Sequence, residues 1–257
     1  MSPRDVDWDA EWLVAWKAHR KNAWFGYQAD VYARWLADGG APPPRRLLKT
    51  DAFDEACGFR PLGDAAAVLM DVSPRILRAA RDGGHARLVA TDVRRLAVRA
   101  GAFDVVFSPS SLDHFDDVRD IEAALRELHH ALAPGGRLLL TLDNPANPVL
   151  RARAMVHWLA GRVGGLIPFA MGRTLERRRL RDLLARCGFD VVRIDYCIHV
   201  PRVVGLWLGE WAARRGDHDR ATRLRTTLGQ LERVGTRLPI RRWTGHFVVA
   251  DCRRRER

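Results

Sequence analysis

RLVATDVRRLAVRAGAFDVVFSPSSLDHFDDVRDIEAALRELHHALAPGGRLLLTLDN, residues 87–144, is the stretch that decides the fold. From Val118 to Leu132 apolar residues recur every three or four positions, which predicts a helix with one apolar face. Pro134-Gly135-Gly136 should end this helix, because proline cannot continue its ladder and glycine accepts the left-handed turn. Three short apolar runs predict strands at Leu88–Ala90, Phe103–Phe107 and Leu138–Leu142. This order of strand, helix and strand indicates an open parallel sheet.

Polar residues follow each predicted strand of this stretch. Ligands of open parallel sheets bind beyond the carboxyl ends of the strands. Asp92, the segment Ser108–His114 and Asp143-Asn144 should therefore face one crevice. We expect the chemistry of the protein to take place there.

Further elements extend the sheet in both directions. Ser73-Pro74 begins a predicted helix, with serine as the N-cap and proline in the first turn. Two more strands are predicted upstream at Arg45–Asp51 and Ala65–Asp71, and a helix and two strands downstream at Thr174–Cys187, Phe189–Tyr196 and Gly245–Cys252. The last strand should close the sheet in the antiparallel direction.

Three segments of the core resemble the second half of a class I S-adenosylmethionine-dependent methyltransferase of the type 11 kind. They are Ala90-Thr91-Asp92, Ala102–Val106 (AFDVV) and Leu132–Gly136 (LAPGG). The resemblance covers about Arg46–Asn144 and, more loosely, Thr174–Arg253. It implies an α/β fold: a Rossmann-like, doubly wound, mostly parallel seven-stranded sheet with an N-terminal helical cap and a helical insertion before the last strands.

The chain divides by composition into four predicted parts. Residues 1–44 form a helical cap, in which Trp8, Trp12 and Trp16 mark one helix and Tyr27, Val31 and Trp35 a second. Residues 45–148 form the cofactor-binding core, which begins after the helix-excluding run GGAPPP. Residues 149–173 form an apolar insertion or lid, and residues 174–257 the C-terminal part with a helical insertion and the closing strand.

The ends of the second and third strands offer acids to an adenosine cofactor. Asp71, with Val72 beside it, can accept both ribose hydroxyls, since an acid about twenty residues past the first strand has this role in adenosine-binding sheets. The resemblance further implies that Asp92 holds the adenine amino group, that the Val93 amide meets the ring, and that Ser108 lies near the methyl group. The alternative is that each acid caps a helix or is solvated.

The first loop, Lys49–Glu55 (KTDAFDE), has neither glycine pattern of nucleotide-binding folds. A pyrophosphate needs glycine-exposed amides at a helix N-terminus, and three carboxylates would repel it. This argues against a nicotinamide-dependent oxidoreductase, whereas the sulfonium and ammonium of S-adenosylmethionine suit those acids. We expect Asp51 or Glu55 to meet the methionine amino group, and Lys49 or the Thr50 hydroxyl its carboxylate. The alternative is a non-catalytic adapter whose degenerate loop binds no cofactor.

The catalytic candidates are His114, as a general base, and Asp113, which could orient it or the substrate. They favour hydroxyl over amine methylation. Alternatively, Asp113 caps the next helix and His114 only lines the pocket. Asn144-Pro145 matches only the start of an amine methylase signature. We expect Asn144 to contact the acceptor. Phe25 and Tyr27, near an expected helix break at Gly26, either close over the acceptor or dock the cap on the sheet.

Charge and composition bound the partners. Residues 1–150 carry a net charge of −2 and residues 151–257 one of +14. Beside the apolar insertion, this suits a small, amphipathic or lipid-like acceptor with an anionic end, and it allows peripheral membrane contact. The apolar patches also allow a homodimer, and the alternative is a solvated arginine face.

Other classes of partner and site find no support in the sequence. No recognisable nucleic-acid module is present, and the scattered cysteines and histidines predict no metal site. The acidic N-terminus lacks the pattern of a secretory signal, so we expect a cytoplasmic protein.

Overall fold

The structure is a computed structural model, and it describes residues 22–37, 44–56, 58, 62, 67–152, 155, 172–214 and 218–256. Seven strands form one sheet in the order β3-β2-β1-β4-β5-β7-β6. They are β1 Leu47–Lys49, β2 Ala67–Asp71, β3 Leu88–Ala90, β4 Phe103–Pro109, β5 Leu132–Asp143, β6 Phe189–Cys197 and β7 Phe247–Arg254. Strands β1 to β5 pair in parallel, and β7 runs antiparallel between β5 and β6. The predicted mostly parallel, doubly wound α/β fold is confirmed.

Helices cover both faces of this sheet. They are α1 Ala23–Ala37, α2 Phe53–Ala56, α3 Pro74–Asp82, α4 Val118–Ala131, α5 Arg177–Arg186, α6 Arg202–Arg214, α7 His218–Gly235 and α8 Arg241–Thr244. Ser73 caps α3 as predicted, with its side chain accepting a hydrogen bond from the Ile76 amide. The cap of α4 is Asp117, whose carboxylate accepts from the Arg119 amide, and so Asp113 does not have this role.

The helix α4 ends one residue before the predicted Leu132. Leu132 is extended, with φ −75° and ψ 142°, and it already pairs with Phe103. The Pro-Gly-Gly turn, with Gly135 at φ +66°, therefore lies inside β5 rather than before it. From Leu132 onward the hydrogen bonds of strand pairing replace those of the helix. The strand therefore follows the helix directly, without a separate loop.

Neighbouring residues of the central strands point to opposite, covered faces. Val106 and Leu138 belong to the apolar cluster under α4 and α5, whereas Phe107 and Leu139 belong to the cluster under α1. A strand that is buried on both faces needs apolar residues at successive positions, and the sequence of these strands has that pattern.

The helix α1 packs against α6 and α7 through the residues that its spacing predicted. Tyr27, Val31 and Trp35 are buried. The helix continues through Gly26, so the expected break is not there. Two glycines of α6 allow the close approach: a Cβ on Gly205 would overlap the Trp24 ring, and one on Gly209 would overlap the Asn22 side chain.

Two predicted segments fall largely outside the described residues. These are the first helix of the cap, with Trp8, Trp12 and Trp16, and most of the apolar insertion at residues 149–173. Among the described residues no helix is long and apolar enough to cross a membrane.

Candidate functional site

The carboxyl ends of β1, β2 and β4 meet at one edge of the sheet. The Thr50 hydroxyl donates to Ser108 Oγ at 2.9 Å and lies 2.8 Å from Ser111 Oγ. The Ala52 amide donates to Asp71 Oδ2 at 3.2 Å. The acids and hydroxyls that the sequence assigned to the cofactor are thus brought together around the first loop.

Lys49 is buried in an ion-pair network directly behind this loop. Its Nζ lies 2.7 Å from Glu55 Oε2 and 3.0 Å from Asp54 Oδ2, and neither Lys49 nor Glu55 is exposed. Burial would lower the pKa of Lys49, but the carboxylates of Asp54, Glu55 and Asp51 outweigh it and raise the pKa above its usual range. The ammonium charge is therefore already neutralised by acids of its own chain. Glu55 Oε1 has no hydrogen-bond partner in the described structure.

Asp51 is a half-buried acid of the first loop, directly after Thr50. Its Oδ1 accepts a hydrogen bond from the Phe53 amide at 2.7 Å. Burial raises the pKa of Asp51 to about 8, with Lys49 opposing this rise and Asp54 and Asp71 adding to it. A carboxyl that ionises with difficulty in the free protein gains most from the arrival of a cation.

Asp71 at the end of β2 is buried and holds two backbone amides. Its Oδ1 accepts from Ser73 N at 2.9 Å, and its Oδ2 accepts from Ala52 N at 3.2 Å. Burial raises the pKa of Asp71, and these amide hydrogen bonds work against the rise. Each carboxylate oxygen can accept a further bond. The neighbouring Val72 has an exposed side chain.

Asp92 after β3 is clamped by an arginine two residues further on. Two nitrogens of the Arg94 guanidinium, Nε and Nη2, bind its carboxylate, the latter at 2.6 Å from Oδ2. The Arg94 guanidinium also binds Asp120 at 3.1 Å and lies 4.9 Å from the Phe115 ring centroid. Hydrogen bonding by Arg94 lowers the pKa of Asp92. The side chain of Val93 is buried.

The loop after β4 is held in an unusual conformation. Ser110 has φ +43°, a region that residues other than glycine rarely adopt. Its amide donates to the Thr141 hydroxyl at 3.0 Å, and its hydroxyl donates to Asp113 Oδ2 at 2.9 Å. Strained backbone of this kind concentrates at functional sites.

Asp113 is buried in this loop, and His114 is exposed. Asp113 Oδ2 also accepts from the Asp143 amide at 2.9 Å, which ties the ends of β4 and β5 together. Asp113 Oδ1 has no hydrogen-bond partner in the described structure. The chain returns against this loop at Gly172, where a Cβ would overlap the Asp113 carbonyl oxygen.

The three predicted acceptor contacts are buried and hydrogen-bonded or packed within the fold. Phe25 and Tyr27 are buried in the cluster under α1, and the Tyr27 hydroxyl donates to Glu232 at 2.6 Å. Asn144 is buried at the end of β5. Its amide nitrogen donates to the Arg242 and Gly245 carbonyl oxygens at 2.8 Å each, and its Oδ1 accepts from Ala146 N. The structure therefore gives Asn144 a structural role in joining β5 to α8.

Sequence reasoning missed a cavity of about 750 Å³ that opens beside Asn144. Arginines of three separate segments line it, together with Tyr196 and Trp243. These segments lie far apart in the sequence. The sequence therefore shows the excess of arginine but not that these arginines line one cavity.

The charges around the first loop fit one class of ligand. Lys49 interacts with the carboxyl groups of Asp51, Asp54, Glu55 and Asp71, so among the described residues of the first loop and the end of β2 acids outnumber cations. A cationic ligand without phosphate suits such a site, and a pyrophosphate does not. The donor set therefore fits S-adenosylmethionine, whose sulfonium and ammonium are both positive.

Comparisons with known proteins agree with this geometry. A family model for a methyltransferase domain matches residues 54–140. A search of curated proteins found no match. An S-adenosylmethionine-dependent methyltransferase from Thermotoga maritima is 14% identical with a TM-score of 0.60, and the alignment covers 98% of this chain and 97% of that one.

Two further solved structures share the fold. A protein of Haloferax volcanii, in complex with the methyltransferase activator Trm112, is 16% identical with a TM-score of 0.62, covering 100% of this chain and 99% of that one. The 1,6-didemethyltoxoflavin-N1-methyltransferase of Burkholderia thailandensis, solved with bound S-adenosylhomocysteine, is 15% identical with a TM-score of 0.53, covering 89% and 78%. With the family match, this confirms the resemblance: residues 54–140 match a methyltransferase domain, and the chain shares the fold of S-adenosylmethionine-dependent methyltransferases.

Proposed function

We propose that the protein is an S-adenosylmethionine-dependent methyltransferase that acts on a small, amphipathic acceptor. The observation that carries this proposal is the set of acids at the carboxyl ends of β1 and β2, with Asp51 half-buried and its pKa raised to about 8. Such a set stabilises a cationic cofactor in a methyltransferase domain. The related structure with bound S-adenosylhomocysteine supports the same cofactor.

The cofactor contacts follow from the geometry of the strand ends. Asp51 receives the methionine ammonium. Asp71 and Val72 receive the ribose, and Asp92 with the Val93 amide receives the adenine. Of the two groups predicted for the methionine carboxylate, Lys49 is fully engaged by acids, which favours the Thr50 hydroxyl beside Ser108.

Methyl transfer requires alignment more than acid or base catalysis. S-adenosylmethionine supplies a methyl group already activated on a sulfonium. The chain has to hold the acceptor in line with it and exclude water, which is a task for positioned groups. Asp113, fixed by Ser110 and Asp143, positions the loop after β4, and the exposed His114 can take a proton from an acceptor hydroxyl. This favours hydroxyl methylation.

A second candidate function is a non-catalytic adapter. It is favoured by one observation: the acids assigned to the cofactor already have partners, since Asp71 binds two amides and Asp92 binds Arg94. In this case the fold would serve as a scaffold, and the protein would not bind the cofactor.

Titration with S-adenosylhomocysteine in an isothermal calorimeter separates the two functions. We expect saturable binding by the methyltransferase and none by the adapter. Asp71→Ala should weaken binding about 10- to 100-fold, because the ribose hydroxyls lose an acceptor worth about 1–3 kcal/mol. Asp82→Ala, an exposed acid at the end of α3, is the matched control and should leave affinity unchanged. Equal affinities for the wild type and both variants would contradict the ribose assignment.

The remaining partner assignments are proposals about the surface. Val203, Trp207 and Trp211 of α6 are exposed at helical spacing, as a peripheral membrane contact or a homodimer would require. Pelleting with anionic liposomes and sedimentation velocity address these two in turn. No specific nucleic-acid partner is proposed.

A further inference from the structure

The arginines of the cavity beside Asn144 come from three stretches of chain around the end of β5. Arg151 comes from the segment after β5, Arg177 and Arg178 from the start of α5, and Arg241 and Arg242 from α8. Its volume of about 750 Å³ is large enough for a small organic molecule.

The charge of this lining is strongly positive. Among the described lining residues five are arginines and one, Glu176, is an acid. Arg241 binds Asp195, a residue outside the lining, at 3.1 Å. Arg151, Arg177 and Arg178 are exposed and form no ion pair with a described acid. Guanidinium groups that outnumber the acids around one cavity repel one another, and an oxyanion relieves this repulsion while accepting their paired hydrogen bonds.

One wall of the cavity is apolar and aromatic. Trp243 and Tyr196 contribute rings, and Pro239 lies beside them. The Arg242 guanidinium stacks on the Trp243 ring at 4.6 Å from its centroid, which presents charge and apolar surface side by side. A ligand with an anionic group on an apolar or aromatic body matches both parts.

The cavity lies at the end of β5, which is hydrogen-bonded to the loop where methyl transfer is proposed. Asn144 follows Asp143 directly, and the Asp143 amide is bound by Asp113. The Asn144 side chain in turn holds the Arg242 carbonyl oxygen, so that α8 and its arginines are fixed to the end of β5. The cavity therefore lies at the carboxyl end of β5, the strand next to β4 in the sheet.

We propose that this cavity binds the methyl acceptor through a carboxylate or phosphate group, with the acceptor's apolar body against Trp243 and Tyr196. The identity of the ligand as the methyl acceptor rests on the proposed function, whereas the anion site itself does not. It gives the arginine excess of the C-terminal half a specific ligand: a small organic anion.

The anion site is tested with phenyl phosphate as the probe, by calorimetric titration at low ionic strength. We expect one saturable site in the wild type. Arg177→Gln with Arg178→Gln should weaken it at least about tenfold, because two guanidinium partners are lost. Arg179→Gln with Arg186→Gln removes the same charge from exposed positions of the same helix outside the lining, and affinity should stay within about twofold. Equal losses in the two variants, or no saturable site in the wild type, would overturn the proposal.

The apolar wall has its own test. Phenyl phosphate should bind more tightly than inorganic phosphate, and Trp243→Ala should bring the two affinities together. If inorganic phosphate binds as well as phenyl phosphate in the wild type, the assigned body of the ligand is wrong. Titration with S-adenosylhomocysteine is run in parallel: its failure would overturn the proposed function and leave the anion site standing, whereas the failure of phenyl phosphate would do the reverse.

Discussion

The ionisation of Asp51 couples the proposed binding of the cofactor to pH. Burial raises its pKa to about 8, so near pH 6 the carboxyl is protonated and neutral in the free protein. A bound ammonium favours the ionised form and lowers this pKa. Cofactor binding below pH 8 is therefore accompanied by release of a proton.

This linkage predicts that affinity for S-adenosylhomocysteine increases with pH. Between about pH 6 and about pH 7.5 the increase should approach tenfold per pH unit, because one proton is released per ligand bound. The range stays below the pKa near 8 of an ordinary α-amino group, so that the amino group of the ligand remains protonated. Calorimetry at several pH values measures the slope. Asp51→Asn should bind more weakly and with a flat profile, and an unchanged slope in this variant would contradict the assignment.

The sequence located the acids at the strand ends but not their partners. Asp51, Asp71 and Asp92 follow apolar strands, and that signal is local. The clamp by Arg94 was visible in principle, since a guanidinium two residues after an acid can fold back on it. The pairing of Lys49 was not, because the backbone path of the first loop decides whether its ammonium faces the ligand or the acids behind it.

At the level of elements, the buried ion pair of Lys49 fastens the short helix α2 to β1. Four residues of helix have too few internal hydrogen bonds to be stable alone. Glu55 lies on α2, is 2% exposed and binds Lys49 at 2.7 Å. The pair thus sets the shape of the first loop, where a glycine-rich turn is absent from the sequence.

Removing one partner of this pair should destabilise the fold strongly. Lys49→Met leaves Glu55 buried and uncompensated, so the free energy of unfolding should fall by about 3–5 kcal/mol. Adding Glu55→Leu should restore part of the loss, because the most deeply buried carboxylate is then removed together with its partner, and Asp54, which also loses Lys49, is partly exposed. Urea denaturation followed by circular dichroism measures both. Arg46→Met, which breaks an exposed pair with Asp104, is the control and should have little effect. A loss no larger than that of the control would contradict the role of the pair.

The boundaries of β5 illustrate what sequence patterns miss at this scale. Pro134-Gly135-Gly136 is a correct sign that α4 stops, yet the strand begins before it, at Leu132. Local preference locates the break in the helix. The pairing of Leu132 with Phe103, which depends on distant residues, determines where the strand begins.

At the level of the whole molecule, Glu232 joins three distant parts of the chain. Its Oε1 accepts from Ile198 N at 2.8 Å, and its Oε2 accepts from His199 N at 2.7 Å and from the Tyr27 hydroxyl at 2.6 Å. Burial and the neighbouring Glu232 raise the pKa of Tyr27, so its hydroxyl stays a donor. The helices α1 and α7 and the end of β6 thereby form one layer.

Loss of this hydroxyl should be felt across the layer. Tyr27→Phe should lower the free energy of unfolding by about 1.5–3 kcal/mol, because the bond is to a charged group. Tyr32→Phe, equally buried on the same helix, loses a bond from the neutral Gln28 side chain and should cost about 0.5–1.5 kcal/mol. Chemical denaturation compares the two. Equal costs would mean that Glu232 does not join the layer.

Arg151 and Arg173 flank the stretch of chain between Ala152 and Gly172. Next to its start, Arg151 lines the arginine cavity, and next to its end the Arg173 amide donates to the Phe115 carbonyl at 2.5 Å, beside the Asp113 loop. Both flanking residues lie outside the strands that end at or near Asp51, Asp71 and Asp92. Substitutions near Arg151 and Arg173 can therefore alter the arginine cavity and the surroundings of the Asp113 loop while those strands stay unchanged.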